Sequence, residues 1–183
     1  AVLVSFLDQL KLFPEVIAKF RSHLRRAMAL TRPGLQTRVF ASRQALPAPK
    51  RRIHNFDAIR PVLDRLGLDV VELGRHSAAE QFRLFGDAEI VVGAHGSDLS
   101  NILMCRPGTP VVVIESAASV AHSLHVGLEH LAEILDLRYV QVVAETVKVP
   151  GDDHPATRWI NRDYLVDPDA LDHAVREALA TPA

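Results

Sequence analysis

The sequence predicts an α/β fold: a Rossmann-like, mostly parallel sheet with helices on both faces. Three observations carry that expectation. Short apolar runs alternate with segments of helical periodicity over brief connections, the rhythm of βαβ units. Two of the runs, AEIVVG (88–93) and VVVIES (111–116), are unbroken, as in strands covered on both faces. Apolar residues make up 48% of the chain and aromatics only 5%, so the load falls on Val, Leu, Ile and Ala.

Taken in order, the first thirty residues read as helical. Val16, Ile17, Phe20, Leu24 and Ala27 recur at helix spacing, with Lys19, Arg21, Arg25 and Arg26 on the other face and Pro14 near the start. TRPG (31–34) breaks the pattern, which divides the chain into a helical segment over 1–34, the end of or link to a preceding lobe, and one domain over 35–183. TRVFAS (37–42) is the first strand, followed by the turn LPAPK. Asn55 to Leu66 carries Ile59, Val62, Leu63 and Leu66 at helix spacing and stops at Gly67. LDVVEL (68–73) is a strand, and Ser77 with Glu80 forms a capping-box pattern for a helix through Phe85. The central strand AEIVVG leads through AHGS into a short helix from Asp98 to Met104. RPGTP turns into VVVIES, Ala118 to Leu135 reads as one long helix, and RYVQVVAE (138–145) as a strand. A polar loop follows, and Asp167-Pro168 caps the last helix.

The 183 residues suffice for one full domain and a few extra helices. A formal net charge of −1 points away from nucleic acid as a partner. The single cysteine, Cys105, excludes an internal disulfide framework and a cysteine-based zinc site; without a histidine partner it reads as structural. No stretch nears the roughly 20 apolar residues of a membrane span. The opening AVLVSFL runs into Asp8 and Gln9, unlike a signal peptide, so a cytoplasmic or membrane-peripheral location is expected. The chain begins at Ala rather than Met and reads as a piece of something longer.

Chemistry is expected outside the carboxyl ends of the strands. The segment AEIVVGAHGSDLSN fits best: a buried strand, a loop with Gly96 and Ser97, then a helix whose first N–H groups face the crevice. Gly96 admits close approach of a ligand to the backbone. His95 can donate to a diphosphate, and Ser97 and Ser100 offer hydroxyls. The alternative is an ordinary strand–helix junction with Ser97 or Asp98 as cap and His95 bonded to backbone. Arg43, just past a strand end, can clamp a phosphate, whereas Lys50 and Arg51 read as a solvated basic loop. Asn55 is either a helix cap or a ligand contact, and Glu115 either binds ribose hydroxyls or caps the following helix. His122, His125 and His130 lack the carboxylate of a zinc-binding helix, so no metal is expected there.

Four pieces in order resemble glycosyltransferase family 61: Ser42-Arg43; Arg52-Ile53-His54-Asn55; the Ser77–Gln81 segment with Phe85; and VVGAHGSDLSNILM followed by RPGTPVVVIES. The family includes bacterial capsular-polysaccharide enzymes, plant xylan xylosyl- and arabinosyltransferases, and animal protein O-linked N-acetylglucosaminyltransferases. The resemblance implies the nucleotide-sugar-binding lobe of a two-lobed, GT-B-type enzyme that transfers sugar with inversion to a glycan or other acceptor. The capsular-polysaccharide, bacterial branch is the expected one. The donor is expected to be a UDP-sugar, with no further cofactor and no metal. Arg43, Arg52, Asn55, His95, Gly96, Ser97, Asn101 and Glu115 are the implied donor-site positions, and no catalytic base is named. The chain departs from the family at Ser97-Asp98, Phe56 and Met104. Asp98 puts a negative charge beside the diphosphate position, and Ser97-Asp98 favours a second reading, a non-catalytic Rossmann-like binding or assembly module; a third reading is an epimerase-like α/β enzyme.

Overall fold

The computed structural model describes residues 14–27, 37–45, 51–121, 126–148 and 162–180. The opening AVLVSFL, the TRPG break, the whole LPAPK turn with Lys50, His122, His125 and most of the polar loop before Asp163 lie outside the described residues.

Within them, six strands form one sheet in the order β2-β1-β3-β4-β5-β6. The strands are β1 (Thr37–Ser42), β2 (Asp69–Glu72), β3 (Ala88–Ala94), β4 (Pro110–Ser116), β5 (Arg138–Val147) and β6 (Asp163–Leu165). β1 to β5 run parallel and β6 pairs antiparallel with β5, so the Rossmann-like α/β fold read from the sequence is present. β6 was not legible, because three residues are too few to reveal a period.

Alternation along the strands builds two cores. Ile90, Val92 and Ala94 of β3, with Val112 and Ile114 of β4, face α2 (Phe56–Arg65) and α6 (Pro168–Ala180). Val91, Val111 and Val113 face the opposite layer. That layer holds α1 (Pro14–Ala27), α3 (Ala78–Gly86), a 3₁₀ run over Ser97–Met104 and α5 (Val126–Ile134). Covering both faces explains the unbroken apolar runs. Each fully buried Val, Leu or Ile of this set contributes about 1.5–3 kcal/mol.

Helix limits follow local chemistry. Ser77 Oγ accepts from the Glu80 N–H while Glu80 Oε2 accepts from the Ser77 N–H, completing the capping box that starts α3. Asp167 Oδ1 accepts from the Asp169 N–H at 2.9 Å with Pro168 in the first helical position of α6. Gly67, at φ 67°, takes the left-handed turn past α2.

Three expectations are corrected. The single helix expected over 118–135 is two, α4 (Ala117–Ala121) and α5, with 122–125 outside the described residues. The element after His95-Gly96 is 3₁₀ rather than α, closed at its start by the Leu99 N–H on the Gly96 carbonyl at 3.0 Å. Leu99 and Ile102, three apart and both fully buried, stack on the sheet as a period of three permits. In α1 only Ile17 of the expected apolar stripe is buried; Val16 and Phe20 are 60% and 40% exposed, and Arg21 and Arg25 reach carbonyls of the 3₁₀ run.

Candidate functional site

The chain leaves β1 for β2 through α2 on one face of the sheet, and leaves β3 for β4 through the 3₁₀ run on the other. Neighbouring strands whose connections part in opposite directions open a crevice at their carboxyl ends, the topological switch point of an α/β sheet. Register places Ala41 beside Gly93, so Arg43 and His95 emerge side by side.

Two glycines fit the parts together. A Cβ at Gly93 would lie 3.1 Å from both Ala41 Cβ and Leu99 Cδ2, so its absence lets the 3₁₀ run settle on the sheet. A Cβ at Gly96 would lie 1.8 Å from Arg43 Nη1. The backbone of Gly96 is extended, and it is the close approach of the guanidinium that requires glycine. Arg43 is only 8% exposed; its Nε lies 3.5 Å from Asp98 Oδ2, and neither Nε nor Nη1 donates a hydrogen bond among the described residues.

A second arginine reaches the crevice from the segment before α2. That segment is fixed by side-chain amides that imitate backbone. Gln44 accepts from the Ile53 N–H at 3.0 Å and donates to the Ile53 carbonyl at 2.9 Å. Asn55 does the same with Val166, accepting at 3.0 Å and donating at 2.7 Å. Arg52 donates its N–H and Nε to buried Asp163, at 3.0 and 3.3 Å. These ties set Arg51 in the left-handed region at φ 58°, a strained backbone for a non-glycine residue. Burial, then the charge of Arg43, lowers the Arg51 pKa, against the opposing pull of Tyr164, Asp98 and Glu115. Arg51 thus shares one electrostatic field with Arg43, correcting its reading as a solvated loop residue.

Glu115, at the carboxyl end of β4, is 0% exposed. Its closest ionic partner is His95, whose Nδ1 lies 3.6 Å from Oε2, and neither carboxylate oxygen completes a hydrogen bond of ordinary geometry among the described residues. The His95 N–H donates to the Ile114 carbonyl at 2.9 Å and fastens the loop to β4. Burial pushes the Glu115 carboxyl up to about 7, while the Ser119 hydroxyl, Arg51 and the Tyr139 hydroxyl pull it down. The helix after β4 is capped by Ser116, whose Oγ accepts from the Ser119 N–H at 2.9 Å, so capping is not the task of Glu115.

The structure therefore gathers Arg43, His95, Gly96 and Glu115 with Arg51 and Asp98, and sets Ser97, exposed, at the start of the 3₁₀ run. Arg52 and Asn55 are engaged with Asp163 and Val166, and the Asn55 amide does not cap α2. Asn101 donates to Gln81 Oε1 at 2.8 Å, while Gln81 holds the Leu73 and His76 carbonyls, so Asn101 ties the 3₁₀ run to α3. Sequence reasoning missed Arg51; its one signal was its place between a strand's carboxyl end and the next helix. Among the described residues no group of three or more His, Cys, Asp or Glu can hold a metal ion. Cys105 is buried, with burial raising its thiol to about 12, as befits a structural residue. No helix among the described residues is long and apolar enough to cross a membrane.

Fold and crevice together define a Rossmann-like α/β protein with two converging guanidinium groups at its switch point. Residues 3–112 match the model of the glycosyltransferase 61 family, and the chain belongs to that family. A search of curated proteins found none that matches the chain. The matched stretch contains Arg43, Arg51, His95, Gly96 and Asp98, while Glu115 lies just beyond it. Membership implies glycosyltransferase activity, with a sugar donor and an acceptor as substrates.

Proposed function

We propose that this chain is the donor-binding lobe of a two-lobed, inverting glycosyltransferase and that the β1/β3 crevice takes the diphosphate of a nucleotide sugar, a UDP-sugar first among them. The single observation that carries the reading is Arg43: an enclosed guanidinium, laid against Gly96, with donors that no acceptor among the described residues satisfies. Buried guanidinium N–H groups without partners are rare, and a diphosphate oxygen is the acceptor best matched to their fork.

In the proposed reaction the acceptor hydroxyl attacks the anomeric carbon as the bond from that carbon to the diphosphate oxygen breaks. Both electrons of that bond leave with the diphosphate, and Arg43 and Arg51 stabilise the charge gathered there. Cationic side chains do this work without a metal. His95 orients the diphosphate, and the acceptor proton passes to a base outside this chain's crevice. A glycan acceptor and a membrane-peripheral site of action complete the proposal.

Asp98 favours a second reading. Its carboxylate, 3.5 Å from Arg43 Nε, can stand in for the anion and leave the crevice closed to donor, as in a non-catalytic module.

Calorimetric titration of the chain with UDP and a panel of UDP-sugars separates the two. Donor binding weakened about tenfold or more by Arg43→Gln and by His95→Ala supports the donor lobe. Binding unchanged by Arg43→Gln overturns the clamp, and a folded chain that binds no nucleotide supports the module.

A further inference from the structure

Away from the crevice, α1 and the turn after the 3₁₀ run enclose an open groove of about 620 Å³. Four arginines line it, Arg21, Arg25 and Arg26 from α1 and Arg106 from the turn, and among the described residues no carboxylate does. Arg21 and Arg25 stand one helical turn apart on one face, and their guanidinium groups are anchored at the end of the 3₁₀ run. Arg21 Nη2 donates to the Cys105 carbonyl, and Arg25 Nη1 to the Met104 carbonyl at 3.2 Å. Helix-end carbonyls lack partners of their own and hold cations well, so these two side chains are set in place before any ligand arrives.

The anchoring leaves positive charge in excess. Burial lowers the Arg21 pKa, and the neighbouring charge of Arg25 lowers it further. Arg21 Nε is shut away from solvent with no acceptor among the described residues. Arg26 spends one donor on the Ser22 hydroxyl, and Arg106 pairs with Asp87 at 3.2 Å through one nitrogen. A guanidinium carries five N–H donors, more than the bonds named here engage. Four guanidinium groups around one groove, two of them anchored, favour a small, multiply charged anion, and forks arriving from two elements suit a tetrahedral oxyanion.

We infer that this groove is a second anion site, which binds a phosphate-bearing group between α1 and the Arg106 turn. It is separate from the β1/β3 crevice and does not depend on the donor reading. The phosphate belongs either to a free phosphorylated molecule or to a lipid headgroup; the recognition chemistry is the same.

Inorganic pyrophosphate is the probe, titrated calorimetrically into the full chain carrying Arg43→Gln, which weakens the crevice. Arg26→Gln/Arg106→Gln is then added; it spares the Arg21 and Arg25 anchors, and circular dichroism checks the fold. The expected result is binding in the Arg43→Gln chain that weakens at least about tenfold in the triple variant. Binding that is absent in the Arg43→Gln chain, or unmoved by the added pair, overturns the site. A measurement without substitution stands beside it: pyrophosphate should protect Arg21, Arg25, Arg26 and Arg106 from phenylglyoxal, read peptide by peptide. Equal modification with and without pyrophosphate overturns the site even if the variants fail to fold. Sedimentation with phosphatidylglycerol and with phosphatidylcholine vesicles resolves the source. Pyrophosphate-competed binding to the first alone assigns a headgroup, and no vesicle binding assigns a free phosphorylated molecule. Vesicle binding that pyrophosphate does not compete counts against the groove.

Discussion

Replacing Glu115 by glutamine should make the protein more stable above neutral pH, an unusual direction for a change in a fully buried charged residue. Glu115 sits fully buried at the carboxyl end of β4 with a folded pKa raised from the ordinary 4.5 to about 7, chiefly by burial. A raised carboxyl pKa means that the folded state holds a proton the unfolded chain has released. Between 4.5 and about 7 the unfolded chain therefore binds fewer protons, and stability falls as pH rises. The contribution is fully present below 4.5 and gone above about 7. Taken from pH 5 to pH 8, the loss amounts to about 2 to 3 kcal/mol. Glutamine keeps the shape and cannot ionise, so it removes this dependence.

The assay is urea unfolding of both proteins at pH 5 and pH 8. Groups remote from position 115 are common to the two proteins and cancel in the comparison. The proteins should match within about 1 kcal/mol at pH 5, and the variant should lead by about 2 to 3 kcal/mol at pH 8. A wild type as stable as the variant at pH 8 would refute the reasoning. It would mean that Arg51 and His95 stabilise the ionised carboxylate enough to offset its burial.

Gly96→Ala should leave the fold intact, because the backbone there is extended, but its Cβ would meet Arg43 Nη1 at 1.8 Å and expel the guanidinium. UDP titration should then show a loss of about tenfold or more, as large as that of Arg43→Gln and not additive with it. Asn55→Ala strips two hydrogen bonds from the Val166 backbone and should cost about 2 kcal/mol in urea unfolding, with the loss of α2–β6 docking seen as faster amide exchange at Val166. Asp98→Asn removes the carboxylate 3.5 Å from Arg43 Nε. UDP affinity should rise about threefold to tenfold, most at low salt; a fall would show that Asp98 orients the fork rather than competes for it.

The sheet was legible because β3 and β4 are covered on both faces, and a doubly buried strand writes itself as an unbroken apolar run. The α3 start was legible because a capping box is a contact between residues three apart. What escaped was long-range. The pairing of Asn55 with Val166 spans 111 positions, and an asparagine that imitates backbone looks in sequence like one that binds a ligand. The same ambiguity covers Asn101, whose partner Gln81 lies 20 positions back on α3.

The crevice divides along that line. Arg43, His95 and Gly96 could be placed from sequence because each follows directly on a strand end, and strand ends fix where an α/β sheet meets its ligands. Arg51 could not, although it enters the same field. Its position depends on Gln44 holding Ile53, on Asn55 holding Val166 and on Arg52 holding Asp163, and none of these ties follows a period. Those three ties also account for its strained backbone: a segment pinned at Arg52, Ile53 and Asn55 leaves Arg51 little freedom, and the left-handed turn at φ 58° is the way it enters the crevice. Strain of about 1–3 kcal/mol at such a residue persists only where neighbours over-determine it. Here they do so at a basic residue that shares a field with Arg43, which is the physical ground for giving it half of the proposed phosphate clamp.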